Sequence, residues 1–193
     1  SGTLGRLLLG LLIKSPQKIR LIGDKSLSQR DFSRITDPLE KFGAKFFYKT
    51  KNKLPLSILG SELVKGIKYL ENKGSAQCKS SVMLAALNAS GITSIKAKKS
   101  RNHSELLFKY LKIPTKTRHT KHYDFIDIKK PKKIVAFNYQ IPGDISSSAF
   151  FIVLTTLTNN SKLLIKSVNI NPSRIGVITI LKKMGAKILL KNK

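Results

Sequence analysis

Cysteine is almost absent from this sequence. The single Cys78 excludes an internal disulfide, and without a Cys/His cluster we expect no metal site. These absences favour a reducing compartment, the cytoplasm. Long apolar runs are missing too, since the longest, Leu4 to Ile13, is interrupted by Arg6 and is shorter than the roughly 20 residues of a membrane-spanning helix. It also lacks the flanks of a signal peptide, so we expect a buried helix and no membrane partner.

Acidic residues are scarce. Ten aspartates and glutamates face 37 lysines and arginines, which gives a formal net charge of +27. Such an excess suggests a polyanionic partner, but the lysines are scattered along the whole length, as in a general compositional bias. A nucleic-acid-binding module is expected to concentrate its charge or to interleave it with exposed aromatic residues. We therefore predict no nucleic-acid partner, and a site for small phosphorylated anions accounts for part of the charge.

Several catalytic patterns are also missing. The sequence has no convincing carboxylate pair, no Ser-His-Asp arrangement, no P-loop and no dinucleotide-binding glycine fingerprint. Cys78 leads into an apolar helix, so a packed thiol is favoured over a nucleophile. His103, beside a predicted helix start, is typical of a cap or a surface group.

A repeat of about seventy residues runs through the chain. Glycine, small polar residues and an apolar run recur in SGTLGRLLLGLL, GSAQCKSSVMLAAL and GDISSSAFFIVLTT. Arginines in polar loops recur at the same period. The end of the second helix and the strand after it recur as well, in LEKFGAKFFY and LKKMGAKILL, with FKYLKIPTK as a degenerate copy between them. The marker positions are Gly2, Gly74 and Gly143, then Arg30, Arg101 and Arg174, then Gly43 and Gly185.

Within each repeat, hydrophobic periodicity predicts alternating helices and strands. The first repeat predicts a helix over 3–14, a strand over 18–22, a helix over 32–42, and strands over 44–49 and 55–59. The second predicts a helix over 76–89, a strand over Thr93–Lys96, a helix around Leu106–Leu111, and two or three closing strands including Lys133–Tyr139. The order strand, helix, strand, helix, strand, strand indicates a layered α/β fold.

Two kinds of loop suit anions. Ser75 and Gln77 lie in the turn entering the helix over 76–89, where unpaired N–H groups and the helix dipole favour phosphate or carboxylate. The commoner role of a serine there is an ordinary N-cap. Arg30 and Arg101 occupy equivalent loops of successive repeats, and guanidinium groups bind carboxylate and phosphate through paired hydrogen bonds. From the residues alone, each is alternatively a solvated loop arginine.

The motifs resemble those of the 5-enolpyruvylshikimate-3-phosphate synthase family, in order and spacing, over nearly the whole chain. They are SGTLGRLLLG, GDKSLSQR with DPLEKFGA, PLSILG, GSAQCKSSVMLAAL, SRNHSELL, PGDISSSAFF and NPSRIGVITILKKMGA. The resemblance implies two domains, each of three βαβαββ units, an inside-out α/β barrel fold that is incomplete here at both ends. Residues 1–142 are then most of one domain, about two units, and 143–193 the start of the second. The Ser-Gly-Thr beginning and the end after an apolar run also suggest an interior piece.

The resemblance also implies substrates and site residues. Gly2 and Arg30 match positions that bind phosphoenolpyruvate, while Ser75, Gln77, Ser100 and Arg101 match positions for shikimate 3-phosphate. No catalytic acid or base falls within the chain, so we expect it to be inactive alone. The family implies carboxyvinyl transfer without a metal or an organic cofactor, and a monomer at full length. Asp31 and Asn102 stand where the family usually has proline and aspartate, which could loosen both arginine loops.

Two alternatives remain. The related UDP-N-acetylglucosamine enolpyruvyl transferases share the implied fold, but their cysteine-bearing loop would fall near residues 23–31, and GDKSLSQRD has no cysteine. A non-catalytic basic module that binds nucleic acid belongs to another class. It would show steeply salt-dependent binding that shikimate 3-phosphate does not affect.

Overall fold

The computed structural model describes residues 1–191, in two compact units that cover Ser1–Val135 and the residues from Ala136 onwards. The border between the units follows Val135, seven residues before the domain boundary expected after residue 142. The division into domains stays a prediction. Each unit is described below by itself.

The first repeat forms helices around a three-stranded antiparallel sheet, much as the periodicity predicts. Its elements are α1 (Gly2–Leu11), a 3-10 turn (Leu12–Lys14), β1 (Ile19–Leu21), α2 (Lys25–Ser28), α3 (Ser33–Lys41), β2 (Lys45–Tyr48) and β3 (Leu56–Leu59). β3 lies between β1 and β2. The short helix α2, capped by the Asp24 side chain, was not predicted.

The second repeat forms a four-stranded mixed sheet. Its elements are β4 (Lys68–Glu71), α4 (Ala76–Ala86), β5 (Ile92–Lys98), α5 (His103–Tyr110), β6 (Thr115–His119) and β7 (Tyr123–Lys129). The strand order is β4-β5-β7-β6, and only β4 and β5 run parallel. The sequence did not predict β4, whose lysine, tyrosine, leucine and glutamate show no clear apolar alternation.

Two predicted strands are wrong. Residues Lys133–Tyr139 and the run after Gly185 form no strand among residues 1–191. The alternation of Val135 and Phe137 fits a strand, but a strand is stable only when a neighbour pairs with its backbone. No described strand pairs with either segment, and Val135 is exposed.

Helices α1 and α4 pack closely in the core of the first unit, and they run parallel. A β-carbon on Gly10 would come within 2.2 Å of the Ser81 carbonyl oxygen, so only glycine allows this approach. The Ser81 hydroxyl donates to the Arg6 carbonyl at 2.9 Å, and nearer the helix starts Gln77 contacts Thr3. Contacts that advance together along both helices mean that both N-termini lie at the same end.

The second unit contains α6 (Ile145–Leu157) and α7 (Gly176–Lys183). The Asp144 carboxylate caps α6 and also accepts a hydrogen bond from Arg174 at 3.2 Å. Arg174, the third member of the arginine series, therefore has a structural contact. Helix α6 is apolar but largely exposed, with Phe150 and Leu157 each 79% accessible.

The third marker of the repeat is a left-handed residue after the second helix of each copy. Gly43 has φ +107° and Gly185 has φ +97°. In the degenerate copy the same place after α5 is taken by Lys112, with φ +53°. Glycine adopts this conformation freely because it has no β-carbon, whereas lysine is strained there.

We expect Lys112→Gly to stabilise the protein. A left-handed non-glycine residue costs about 1–2 kcal/mol, and the greater unfolded-state freedom of glycine offsets part of the gain, so the net increase in unfolding free energy should be roughly 0.5–1 kcal/mol. Chemical denaturation measures it. Lys112→Ala removes the same charge but keeps the β-carbon, so a gain of equal size in that control would contradict the explanation.

Candidate functional site

The N-termini of α1 and α4 lie side by side and form the floor of the candidate site. The Ser1 hydroxyl accepts a hydrogen bond from the Leu4 amide, and the Ser75 hydroxyl accepts one from the Cys78 amide at 3.3 Å. Ser75 is thus an N-cap, as the commoner alternative predicted. The first amides of both helices and their two dipoles point to one end, an arrangement that favours an anion.

Gln77 links the two helices. Its side-chain nitrogen donates to the Thr3 hydroxyl at 2.6 Å, and its oxygen accepts from the Arg6 guanidinium at 2.6 Å. The sequence did not single out Arg6, because an arginine inside an apolar helix gave no signal of its own. Only the parallel packing of α1 and α4 brings it to Gln77.

Two guanidinium groups flank Gly2. A β-carbon on Gly2 would lie 3.0 Å from Arg30 Nη1 and 3.6 Å from Arg6 Nη1. A side chain at this position would therefore crowd Arg30 and reach contact distance of Arg6. Two neighbouring guanidinium groups repel each other, and a carboxylate or phosphate between them removes that repulsion and accepts hydrogen bonds from both.

A buried carboxylate holds the turn that leads into α4. Glu71, 3% exposed, accepts hydrogen bonds from the backbone amides of Lys73 at 3.2 Å and Ser75 at 2.9 Å. Its other partner is the Arg34 guanidinium, at 3.0 Å. Sequence reasoning missed Glu71, which is a lone acidic residue at the end of an unpredicted strand.

Ser100 and Arg101 lie in the loop between β5 and α5, against the same turn. The Lys99 carbonyl oxygen lies 3.4 Å from where a β-carbon of Gly74 would be. The Ser100 hydroxyl is buried without a hydrogen-bond partner among the described residues, and Arg101 is exposed. The structure therefore brings this loop next to the start of α4.

Two ion pairs fix that loop. Lys79, fully buried in α4, contacts Glu105 of α5 at 2.5 Å, which ties the starts of the two helices together. Lys99 contacts Asp124 at 3.0 Å, and His119 Nδ1 lies 2.7 Å from the same carboxylate oxygen. Burial, the largest single effect, raises the pKa of Asp124, but hydrogen bonds to His119 and Lys99 and their charges outweigh it and hold the pKa below its usual value.

The six sequence-predicted residues thus occupy one end of the first unit. Gly2 lies beside Arg30 and Arg6, and Arg6 contacts Gln77. Ser75 opens the same helix as Gln77, and the loop that carries Ser100 and Arg101 approaches Gly74 through the Lys99 carbonyl oxygen. Their binding roles stay predictions.

Residues 1–191 hold no group of three His, Cys, Asp or Glu side chains placed to bind a metal. Within that range no helix is long and apolar enough to cross a membrane. Cys78 is buried, as predicted.

The chain is similar to known proteins over its whole length. The family model described as EPSP synthase (3-phosphoshikimate 1-carboxyvinyltransferase) matches residues 1–193. Proteins named 3-phosphoshikimate 1-carboxyvinyltransferase from Thermoanaerobacter sp. (strain X514) and Bacillus subtilis (strain 168) are 42% and 39% identical over 100% and 99% of the chain. The solved EPSP synthase from Acinetobacter baumannii has a TM-score of 0.84 at 38% identity, covering all of this chain and 43% of that one. The chain spans 44% of the length of those two relatives.

We expect Glu71→Ala to lower the free energy of unfolding by about 1–3 kcal/mol, because the backbone amides of Lys73 and Ser75 and the Arg34 guanidinium lose their acceptor. Glu71→Gln keeps one carbonyl oxygen and should lose less. Chemical denaturation measures stability, and hydrogen exchange should be faster at the Ser75 amide in the alanine variant. If the Ser75 amide exchanged at the wild-type rate in the Glu71→Ala variant, the assigned contact would be contradicted.

Stability should also depend on the protonation of Asp124. A carboxylate whose folded pKa is depressed adds stability that is complete above its unfolded pKa of about 3.9 and is lost as the pH falls through the folded pKa. Asp124→Asn removes this contribution. We therefore expect the difference in urea midpoint between wild type and variant to shrink below about pH 4. A difference that is constant with pH would contradict the charged contact.

Proposed function

The chain belongs to the EPSP synthase family, and we propose that it is part of a longer enzyme that transfers the carboxyvinyl group of phosphoenolpyruvate to the 5-hydroxyl of shikimate 3-phosphate. The product would serve the shikimate pathway, towards chorismate and the aromatic amino acids. The observation that carries the proposal is the convergence of Gly2, Arg30 and Gln77 at the paired starts of α1 and α4. Both substrates bear a phosphate and a carboxylate, the groups that this end favours.

We assign the binding roles by motif and position. Arg30, beside Gly2, would bind phosphoenolpyruvate, and the missing side chain of Gly2 leaves it room. Ser75, Gln77, Ser100 and Arg101 would bind shikimate 3-phosphate, and the unpartnered Ser100 hydroxyl is available to a ligand. Arg6 would orient the Gln77 amide through its 2.6 Å contact and add positive charge.

The proposed reaction is addition of the shikimate 5-hydroxyl to phosphoenolpyruvate, followed by loss of phosphate from the tetrahedral intermediate. Fixed guanidinium groups and helix starts would stabilise the negative charges without reorganising during the reaction. General acid and base groups would come from parts of the protein outside these 193 residues. We therefore propose that this chain alone does not turn over, and that the enzyme needs neither a metal nor an organic cofactor.

Other properties of the whole protein belong to the same proposal. The exposed apolar side chains of α6 support a larger protein that covers them, because a helix with so many large apolar side chains is normally buried. A cytoplasmic location is supported by the buried, unpaired Cys78. A monomer at full length is proposed from the family resemblance alone. Against transfer to UDP-N-acetylglucosamine, the loop over residues 23–31 forms α2 and contains no cysteine.

Phosphate release tests the function. The full-length protein should release phosphate steadily from phosphoenolpyruvate when shikimate 3-phosphate is present, and the purified 193-residue chain should not. Replacing the acceptor by UDP-N-acetylglucosamine should abolish release. Release with the UDP sugar but not with shikimate 3-phosphate would overturn the proposal in favour of the related transferase.

A charge-conserving substitution tests the role of Arg30. Arg30→Lys keeps the charge but loses paired hydrogen bonds to a carboxylate or phosphate, so kcat/KM for phosphoenolpyruvate should fall roughly 10- to 100-fold. Arg20→Lys, at an exposed arginine of β1, is the matched control and should leave kcat/KM unchanged. If Arg30→Lys and Arg20→Lys changed kcat/KM for phosphoenolpyruvate by the same factor, the assignment of Arg30 to the site would be wrong.

A further inference from the structure

We propose that the outer face of the sheet β4-β5-β7-β6 binds single-stranded nucleic acid, at a surface separate from the anion site at the helix starts. The scattered lysines of the sequence had argued against such a partner. Strand pairing changes that argument, because it decides which scattered residues become neighbours.

The pairing register gathers cations on one face. Side chains alternate between the two faces of a sheet, and directly paired residues point the same way. Inward positions such as Ile95 and Ile126 are buried. The outward positions are Lys68 and Leu70 of β4, Ile92, Ser94, Lys96 and Lys98 of β5, Tyr123, Phe125, Asp127 and Lys129 of β7, and Lys116 and Arg118 of β6. Six of these twelve are lysine or arginine, and one is acidic.

Cations lie against the two aromatic rings of this outer face. Lys96 Nζ lies 4.8 Å from the centroid of the Tyr123 ring and 5.8 Å from that of Phe125. The Arg118 guanidinium carbon lies 4.2 Å from the Phe125 centroid. Aromatic rings and guanidinium planes are the surfaces on which proteins stack unpaired bases, and neighbouring cations bind the phosphates.

The shape and the remaining charge of the face fit the same partner. A shallow depression of about 530 Å³ lies over its centre, bordered by Lys68, Lys96, Lys116 and Arg118. The one carboxylate, Asp127, accepts a hydrogen bond from Ser94 at 2.6 Å. The positive charge of this face would also attract an acidic protein. The aromatic rings of Tyr123 and Phe125 favour a ligand with planar bases instead.

Anisotropy of a labelled oligothymidylate, titrated with the full-length protein, tests the proposal. The triple variant Lys96→Gln, Lys116→Gln, Arg118→Gln should lower the affinity tenfold or more and reduce the salt slope by about 2, at roughly 0.7 per phosphate contact. The matched control Lys162→Gln, Lys182→Gln, Lys183→Gln removes the same charge from exposed positions in the second unit and should change the affinity about twofold or less. Equal losses in both triple variants would mean diffuse attraction only and would overturn the site.

Further measurements identify the partner. Phe125→Leu should weaken oligothymidylate binding and leave binding of inorganic polyphosphate unchanged, because only the oligonucleotide has bases to stack. Equal binding of a duplex, or tighter binding to anionic phospholipid vesicles, would overturn the assignment. Release of phosphate from phosphoenolpyruvate in the presence of shikimate 3-phosphate should be the same in the triple variant and the wild type, since none of the substituted residues lies in the proposed active site. A full-length protein that binds no oligothymidylate at low salt would overturn the proposal outright.

Discussion

The close parallel packing of α1 against α4 is the contact on which the proposed site depends. Gly10 permits it, because a β-carbon there would lie within 2.2 Å of the Ser81 carbonyl oxygen. The packing aligns the two repeats, places their helix starts at one end, and lets Gln77 join Thr3 to Arg6. The anion site at this end therefore follows from a glycine buried a full helix length away.

The scarcity of acidic residues has a structural counterpart. Seven of the ten carboxylates hold a helix start, a turn or a strand: Asp24, Asp31, Glu71, Glu105, Asp124, Asp127 and Asp144. Few remain to neutralise the 37 lysines and arginines. Cations such as Arg30 and those on the outer sheet face are consequently available to anions from outside the chain.

Local pattern predicted the fold where an element is stabilised by its own residues. The helices over residues 2–11, 33–41, 76–86 and 103–110 were found close to their predicted bounds, since their apolar faces and polar starts are encoded within each segment. Strand β4 was missed and the strand over Lys133–Tyr139 was wrong, because a strand depends on a partner that is distant in the sequence. Among the site residues, Arg6 and Glu71 were missed for the same reason, as each acts through a contact across the fold.

The repeat, the family motifs and the six candidate residues can be read from the sequence alone, because each lies in a short run of neighbouring positions. The net charge can be read there too, but not the surface on which the charge is concentrated. Folding brings Arg6 and Arg30 to Gly2, places the Glu71 carboxylate on the Ser75 amide, and puts lysines from four strands on one face. Electrostatic and hydrogen-bonding energies depend on distance, and helix packing and strand register set those distances between residues far apart in the chain.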